Sequence, residues 1–310
     1  MNGGRRHASG QNHACRPNHE IRHTAILSRM VRLLLFLLAG ALAARPDVAP
    51  QPVPVTYEAF ALRFGILPAF PVSGLVAGAD QSRTIDVPVM VWLLKGSNGR
   101  RVLIDSGFYR QKFVDRWKVR EFRTPAAASE AAGVKPDAVT DVIISHVHWD
   151  HVDGVDLFPN ATVWIQRDEY RYYTGEAWHA RNTHGGVDEE DMQALLKINM
   201  QGRVRFVDGD DQEIIPGIRC YTGGKHTWAS QYVSVKLTAG TAIFASDNVY
   251  LYENLEKHVP IAQTLDAESN LKAQDRIKAL ASDPRLIVPG HDPAVFTRFP
   301  STGDGQVAIR

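Results

Sequence analysis

Val142-Ile143-Ile144-Ser145-His146-Val147-His148-Trp149-Asp150-His151 is the stretch on which the reading of this chain turns. Its first three residues are apolar and β-branched, the pattern of a strand buried on both faces. Its last six hold three histidines and one aspartate. Such a density of ligand-type side chains has little use as packing, and a strand end is where a loop sets functional groups on a rigid support. Imidazole is the commonest protein ligand for zinc, iron, cobalt and nickel, and the carboxylate adds an oxygen donor and offsetting charge. The alternative, a solvated histidine cluster, leaves the order of the residues and their place after a strand unexplained.

The same arrangement recurs three times downstream. His226 sits on the glycine-rich turn Gly223-Gly224-Lys225-His226 after an expected strand ending at Thr222, Asp247 closes the run Phe244-Ala245-Ser246, and His291 follows Val288-Pro289-Gly290. Singly, these read as a turn residue, a helix N-cap and a loop histidine. Together they point to one metal centre assembled from strand ends.

These residues resemble the signature of the metallo-β-lactamase superfamily, His-x-His-x-Asp-His with a distal His, Asp and His. The likeness runs from about Thr84 to Pro293 and includes Ile104-Asp105-Ser106-Gly107, similar to the family's early Asp-x-Gly motif. It implies an α/β fold, an αββα sandwich. It also implies two divalent cations, one held by His146, His148 and His226, the other by Asp150, His151 and His291, with Asp247 between them. Without thiolate in the set, zinc is favoured while iron, manganese and cobalt stay open. His148 stands where flavodiiron-type relatives carry Glu, which argues against a redox role. Asp105 is expected to orient a ligand rather than to be one.

Within the superfamily the chain looks most like the N-acyl homoserine lactonases, which carry a tyrosine three residues after the bridging acid. Tyr250 holds that place here, and Trp149 stands where those enzymes often have Phe. The implied reaction is lactone opening by a hydroxide shared between the two cations, with Tyr250 stabilising the oxyanion and Asp150 relaying a proton. Gly223-Gly224-Lys225-His226 departs from the usual Thr-Pro-Gly-His turn, which leaves substrate identity open. β-Lactam, thioester or phosphodiester hydrolysis and a non-catalytic metal-binding role are the competing expectations. An intact Asp247 speaks against the β-lactamases, and the lack of a basic cluster against a glyoxalase-type thioesterase. Phe64, Ile66, Leu67, Phe70 and Trp149 are candidates for an apolar wall around an acyl chain, while His179 and His184 read as surface residues.

Around this centre the chain is ordinary for a protein with a large core: 310 residues, 44% hydrophobic, 22% charged, net charge +1. That balance gives no reason to expect nucleic acid as a partner; a small-molecule lactone or ester is expected, with a homodimer possible. Residues 1–51 differ from the rest. Met30-Val31-Arg32 precedes an apolar run from Leu33 to Ala44, too short for a membrane span of roughly 20 residues. With Ala41-Leu42-Ala43 as a cleavage site near Ala43, this is the pattern of a secretory signal. It suggests a natural start at Met30, a periplasmic or secreted protein without stable membrane insertion, and one domain over residues 52–310. Loss of the presequence would remove Cys15 and leave Cys220 alone, a buried apolar side chain on a strand.

The remaining pattern predicts strands at Tyr57–Phe64, Val87–Leu94, Arg101–Ile104, Val139–Ser145, Thr162–Gln166, Arg203–Val207, Ile214–Thr222, Tyr232–Leu237, Thr241–Ala245 and Leu286–Val288. Helices are expected at Phe113–Arg120, Pro125–Ala132 behind a Thr124 cap, Arg167–Tyr173, Asp188–Asn199 and Ala267–Leu280.

Overall fold

A computed structural model describes residues 54–180 and 184–310. The expected presequence, its start at Met30 and its cleavage near Ala43 lie outside the described residues. Among the described residues, no helix is long and apolar enough to cross a membrane.

Among the described residues, thirteen strands form one hydrogen-bonded system whose main path runs β11-β10-β9-β1-β2-β3-β4-β5-β6. The strands are β1 (Tyr57–Pro71), β2 (Thr84–Gly96), β3 (Arg101–Ile104), β4 (Asp141–Ile143), β5 (Thr162–Gln166), β6 (Val204–Val207), β7 (Gln212–Ile215), β8 (Ile218–Thr222), β9 (Gln231–Leu237), β10 (Gly240–Ser246), β11 (Ile287–Pro289), β12 (Ser301–Gly303) and β13 (Gln306–Ile309). Between β1 and β9 the path is held by a single pair, Tyr57 with Leu237. There the sheet folds over into two halves.

Alternation along the strands builds the sandwich. On β2, Val87, Val89, Val91 and Leu93 enter one core, whereas Met90, Trp92 and Leu94 enter another. Successive side chains of a strand point to opposite faces, so β2 is covered on both. On the other half, Ala242 and Phe244 of β10 share the second core with Trp92, while Ile243 and Ala245 turn to a third. Trp92 and Phe244 meet edge to face across the halves, ring centroids 6.0 Å apart. The outer cores are closed by helices: α1 (Gln111–Trp117), α2 (Pro125–Ala131) and α5 (Glu189–Met200) with Phe113, Ala128 and Leu195, and on the far side α7 (Ala267–Leu280) with Ala273 and Ile277. The layers are helix, sheet, sheet, helix, as the resemblance implied. Short helices α3 (Trp149–Val152), α4 (Arg167–Tyr173), α6 (Tyr252–Lys257) and α8 (Val295–Arg298) complete the elements used below.

Several boundaries differ from the sequence reading. The first strand continues past Phe64 to Pro71, through bulges at Arg63/Gly65 and Leu67/Phe70, because all of it pairs with β2. The first helix stops at Trp117: Lys118 takes φ 51°, and Arg120 exchanges backbone hydrogen bonds with Ile66 at 2.9 and 3.0 Å. The expected strand Ile214–Thr222 is a hairpin broken at Pro216-Gly217, with Gly217 at φ 82°. Cys220 is fully buried on β8, as expected.

Candidate metal centre

Strands β3 and β4 run parallel, as do β10 and β11, and β8 is antiparallel to β9, which is antiparallel to β10. Within each half, therefore, the C-terminal ends of the ligand-bearing strands share one edge. The edges of the two halves are tied together where Ser145 Oγ meets Ser246 Oγ at 2.8 Å and Gln231 N–H donates to the Ser145 carbonyl at 2.8 Å. Asp105 and Ser246 hold positive φ of 60° and 46°, sparsely populated for side-chain-bearing residues, at the turns out of β3 and β10.

All seven side chains singled out as ligands converge on this edge. His146, His148, His226 and Asp247 form one group and Asp150, His151 and His291 a second, with the candidate ligand atoms of each group within 4.8 Å of one another. In the first, His148 Nδ1 lies 3.1 Å from His146 Nε2 and 2.9 Å from His226 Nε2, so three nitrogens face one point. In the second, His151 Nε2 and His291 Nε2 lie 3.7 and 3.8 Å from Asp150 Oδ2. Asp247 divides its carboxylate between them. Its Oδ2 is 3.5 Å from His146 Nε2 and 3.2 Å from His226 Nε2; its Oδ1 is 3.3 Å from His151 Nε2 and 3.1 Å from His291 Nε2.

The far nitrogens of these rings are already engaged. His146 Nδ1 meets Ser145 Oγ at 2.9 Å, His226 Nδ1 the Gln263 carbonyl at 2.7 Å, and His151 Nδ1 Asp105 Oδ2 at 2.8 Å. His291 Nδ1 meets the Pro88 carbonyl at 3.3 Å, and His148 bonds the Gly185 backbone. Such partners fix ring orientation and tautomer, leaving the inward nitrogen free to ligate. Asp105 also accepts from Ser145 N–H at 2.7 Å and Ser145 Oγ at 2.9 Å, the orienting place expected of it.

Burial and charge agree with cation binding. Burial, then the neighbouring histidines, holds His146 and His148 well below the usual imidazole range, so both are neutral. Burial also opposes charge on His151, but Asp247, Asp150 and Asp105 outweigh it and raise its pKa well above the usual value; Asp247 likewise raises His291. Asp247 is held well below the carboxylate range, the histidines overcoming its burial. His151 Nε2 and Asp247 Oδ1 are buried without a hydrogen-bond partner, a costly state for polar atoms that a cation between them would relieve. The residues fit a pair of divalent ions.

Beside the centre lies a cavity of about 330 Å³. Asp150, Asp247, Tyr250 and His291 form its floor, and Leu67, Phe70, Val87, Phe113, Trp117 and Trp149 its apolar wall. Trp149 stacks on Phe113 at 4.6 Å and on Trp117 at 5.7 Å. Of the wall residues expected from sequence, Leu67, Phe70 and Trp149 line the cavity. Phe64 instead packs under it against Phe108, and Ile66 pairs with Arg120. Phe113 and Trp117 were missed, although their four-residue spacing on one helix face was a readable signal. Tyr250 is buried, its ring 5.6 Å from that of His226 and 5.7 Å from that of His291. His179 is exposed, and His184 is half-buried and stacks on Trp178, ring centroids 4.2 Å apart.

The model of the metallo-beta-lactamase superfamily matches residues 84–291. The chain belongs to this superfamily. It is 27% identical over 236 residues to an N-acyl homoserine lactonase of Bacillus thuringiensis, covering 71% of this chain and 87% of that one. The fold matches a B. thuringiensis AiiA mutant with N-decanoyl-L-homoserine bound at the active site (TM-score 0.65, 22% identity, 81% of this chain and 98% of that one). It also matches AidC, a dizinc quorum-quenching lactonase in complex with a product (TM-score 0.61, 16% identity, 78% and 90% covered). This superfamily member is a hydrolase with a His/Asp metal centre.

Proposed function

We propose that this metallo-β-lactamase-superfamily enzyme opens the ring of N-acyl homoserine lactones, using two zinc ions. The observation that carries the reading is the shared carboxylate of Asp247, flanked by two histidine groups and opening onto a cavity with a phenol on its floor and an aromatic wall. Curated relatives named as N-acyl homoserine lactonases support the substrate. When bound, the cations would supply Lewis-acid activation of water and of the ester carbonyl.

The chain's own residues supply the rest. His146, His148 and His226 would hold one ion; Asp150, His151 and His291 the other; Asp247 would touch both. Burial, then Asp247 and Asp150, raises the Tyr250 pKa well above the usual phenol value, so its hydroxyl keeps its proton. A protonated hydroxyl in this place can donate to the oxygen that gains charge as the carbonyl is attacked. Asp150, half-buried at the cavity floor, can pass a proton to the departing alkoxide. The wall of Leu67, Phe70, Phe113, Trp117 and Trp149 offers apolar surface to an acyl chain. The basic, apolar and small-residue pattern at residues 30–43 supports action in the periplasm or outside the cell.

Purified protein of measured metal content, assayed on homoserine lactones of graded acyl length beside a cephalosporin, a thioester and a phosphodiester, tests this reading. Lactone turnover at least tenfold above the others in kcat/KM is expected. Turnover confined to one of the other three would overturn the substrate while leaving the centre intact.

A further inference from the structure

Glu169 is a fully buried carboxylate on α4 that the reaction itself does not use. Its Oε1 accepts from the Val147 backbone N–H at 3.2 Å and from the Thr227 hydroxyl at 2.6 Å. Its Oε2 accepts from the Ala229 backbone N–H at 2.6 Å. Val147 lies between His146 and His148, and Thr227 follows His226. One side chain thus clamps the two loops that carry all three histidines of the first group. None of these bonds reaches Asp150, His151 or His291.

We propose that Glu169 is a positioning residue for the His146/His148/His226 cation alone, holding the two histidine loops at the spacing that one ion requires. The proposal rests on the two-cation reading. The two loops come from different halves of the sandwich, β4 on one side and β8 on the other. The three nitrogens must therefore be brought to one point across a seam. A buried carboxylate accepting from both sides does this with strong, charge-assisted bonds.

Glutamine in its place makes the point testable. Val147 and Ala229 offer N–H groups that only donate, whereas an amide presents one acceptor oxygen and one donor nitrogen. Whichever way the amide turns, its NH2 confronts one of those backbone donors, and one loop loses its bond.

The experiment measures Zn²⁺ affinity of the metal-free full chain by chelator competition. It is run in two backgrounds: His291→Ala, which keeps the first histidine group, and His226→Ala, which keeps the second. Glu169→Gln is expected to weaken binding by about tenfold or more in the first background, the scale of lost support behind a metal ligand, and to leave it unchanged in the second. Thr227→Val, which removes one donor and keeps the carboxylate, should shift the same background in the same direction by less; it serves if Glu169→Gln does not fold. Equal weakening in both backgrounds, or in neither, would overturn the proposal. A wild-type chain that binds no Zn²⁺ would instead overturn the two-cation reading, and this proposal with it.

Discussion

Replacing Asp105 by asparagine should disable the other half of the centre through the protonation state of one ring. Asp105 Oδ1 accepts from Ser145 N–H, a group that cannot accept. The amide oxygen must stay there, so the NH2 takes the place of Oδ2. That oxygen now faces three partners: His151 Nδ1 at 2.8 Å, Ser145 Oγ at 2.9 Å and Ser246 Oγ at 3.1 Å. Both hydroxyls can turn and accept from the new amide. His151 Nδ1 can accept only if its proton moves to Nε2, the nitrogen 3.3 Å from Asp247 Oδ1 on which ligation depends. A protonated nitrogen has no lone pair for a cation. The expected loss at the second group is about 10–100-fold in affinity, or about 1.4–2.8 kcal/mol. Metal-free stability should fall by no more than about 1.5 kcal/mol, since each partner can re-pair, and asparagine tolerates the positive φ of 60° at this position. Chelator competition in the His226→Ala and His291→Ala backgrounds, with urea unfolding of the metal-free variant, measures both quantities. Wild-type affinity at the second group would refute the tautomer argument. So would an affinity loss matched by an equal loss of metal-free stability.

Tyr250→Phe should lower kcat on hydrolysed lactones by on the order of 100-fold while metal content stays unchanged, since the ring packing survives and only the donor is lost; unaltered kcat/KM would remove Tyr250 from the mechanism. Removing the cations should abolish turnover and leave a folded chain with lower Tm, less stable by about 2.7 kcal/mol for each ion whose free concentration had stood about a hundredfold above its Kd; full activity after thorough chelation would end the metal reading. A third prediction concerns pH. Burial, then Asp153, lifts Asp191 to about 9, so the folded chain keeps a proton that the unfolded chain has lost. Stability should therefore decline as pH rises from about 4 towards 9. Asp191→Asn, which mimics the protonated acid beside Arg110, should flatten that decline in unfolding experiments, and parallel pH curves for the two proteins would contradict the assignment.

The seven ligands were legible because their chemistry is concentrated: four lie in six residues, and the other three each follow a strand within four residues. Asp105 was visible only through its resemblance to a family motif, since one buried acid after a strand reads equally well as a turn. Glu169 left no local trace. In Gln166-Arg167-Asp168-Glu169-Tyr170 it looks like one more charge in an acidic first turn, and its role comes from residues 22 and 60 positions away. The same limit explains the strand boundaries. Gly65 and Pro68 are local breakers, but β2 supplies partners along the whole length of β1. Arg120 ended a plausible helical pattern, but Ile66 claimed its backbone. Local pattern names the element; where it stops is decided by a distant strand.

The arrangement of the centre also bears on how the two halves of the sandwich hold together. Each histidine group mixes ligands from both: His146 and His148 with His226, Asp150 and His151 with His291. A cation in either place is therefore a link across the seam. Away from the edge the halves are joined by an apolar core around Trp92 and Phe244, which needs no metal. Along the strand path the halves are joined by the pair of Tyr57 and Leu237, at the opposite end of the sheet from the ligands, so the active edge is held chiefly by side-chain bonds: Ser145 and Asp105 with Ser246, Gln231 with Ile144, and Glu169 with Thr227 and Ala229. Metal loss should thus loosen the active edge while the centre of the sandwich stays closed. The buried supports divide along the same lines, Glu169 bracing the loops of the first group and Asp105 the ring of His151 in the second. Asp247 alone serves both, which makes it the one ligand whose loss cannot be confined to a single cation.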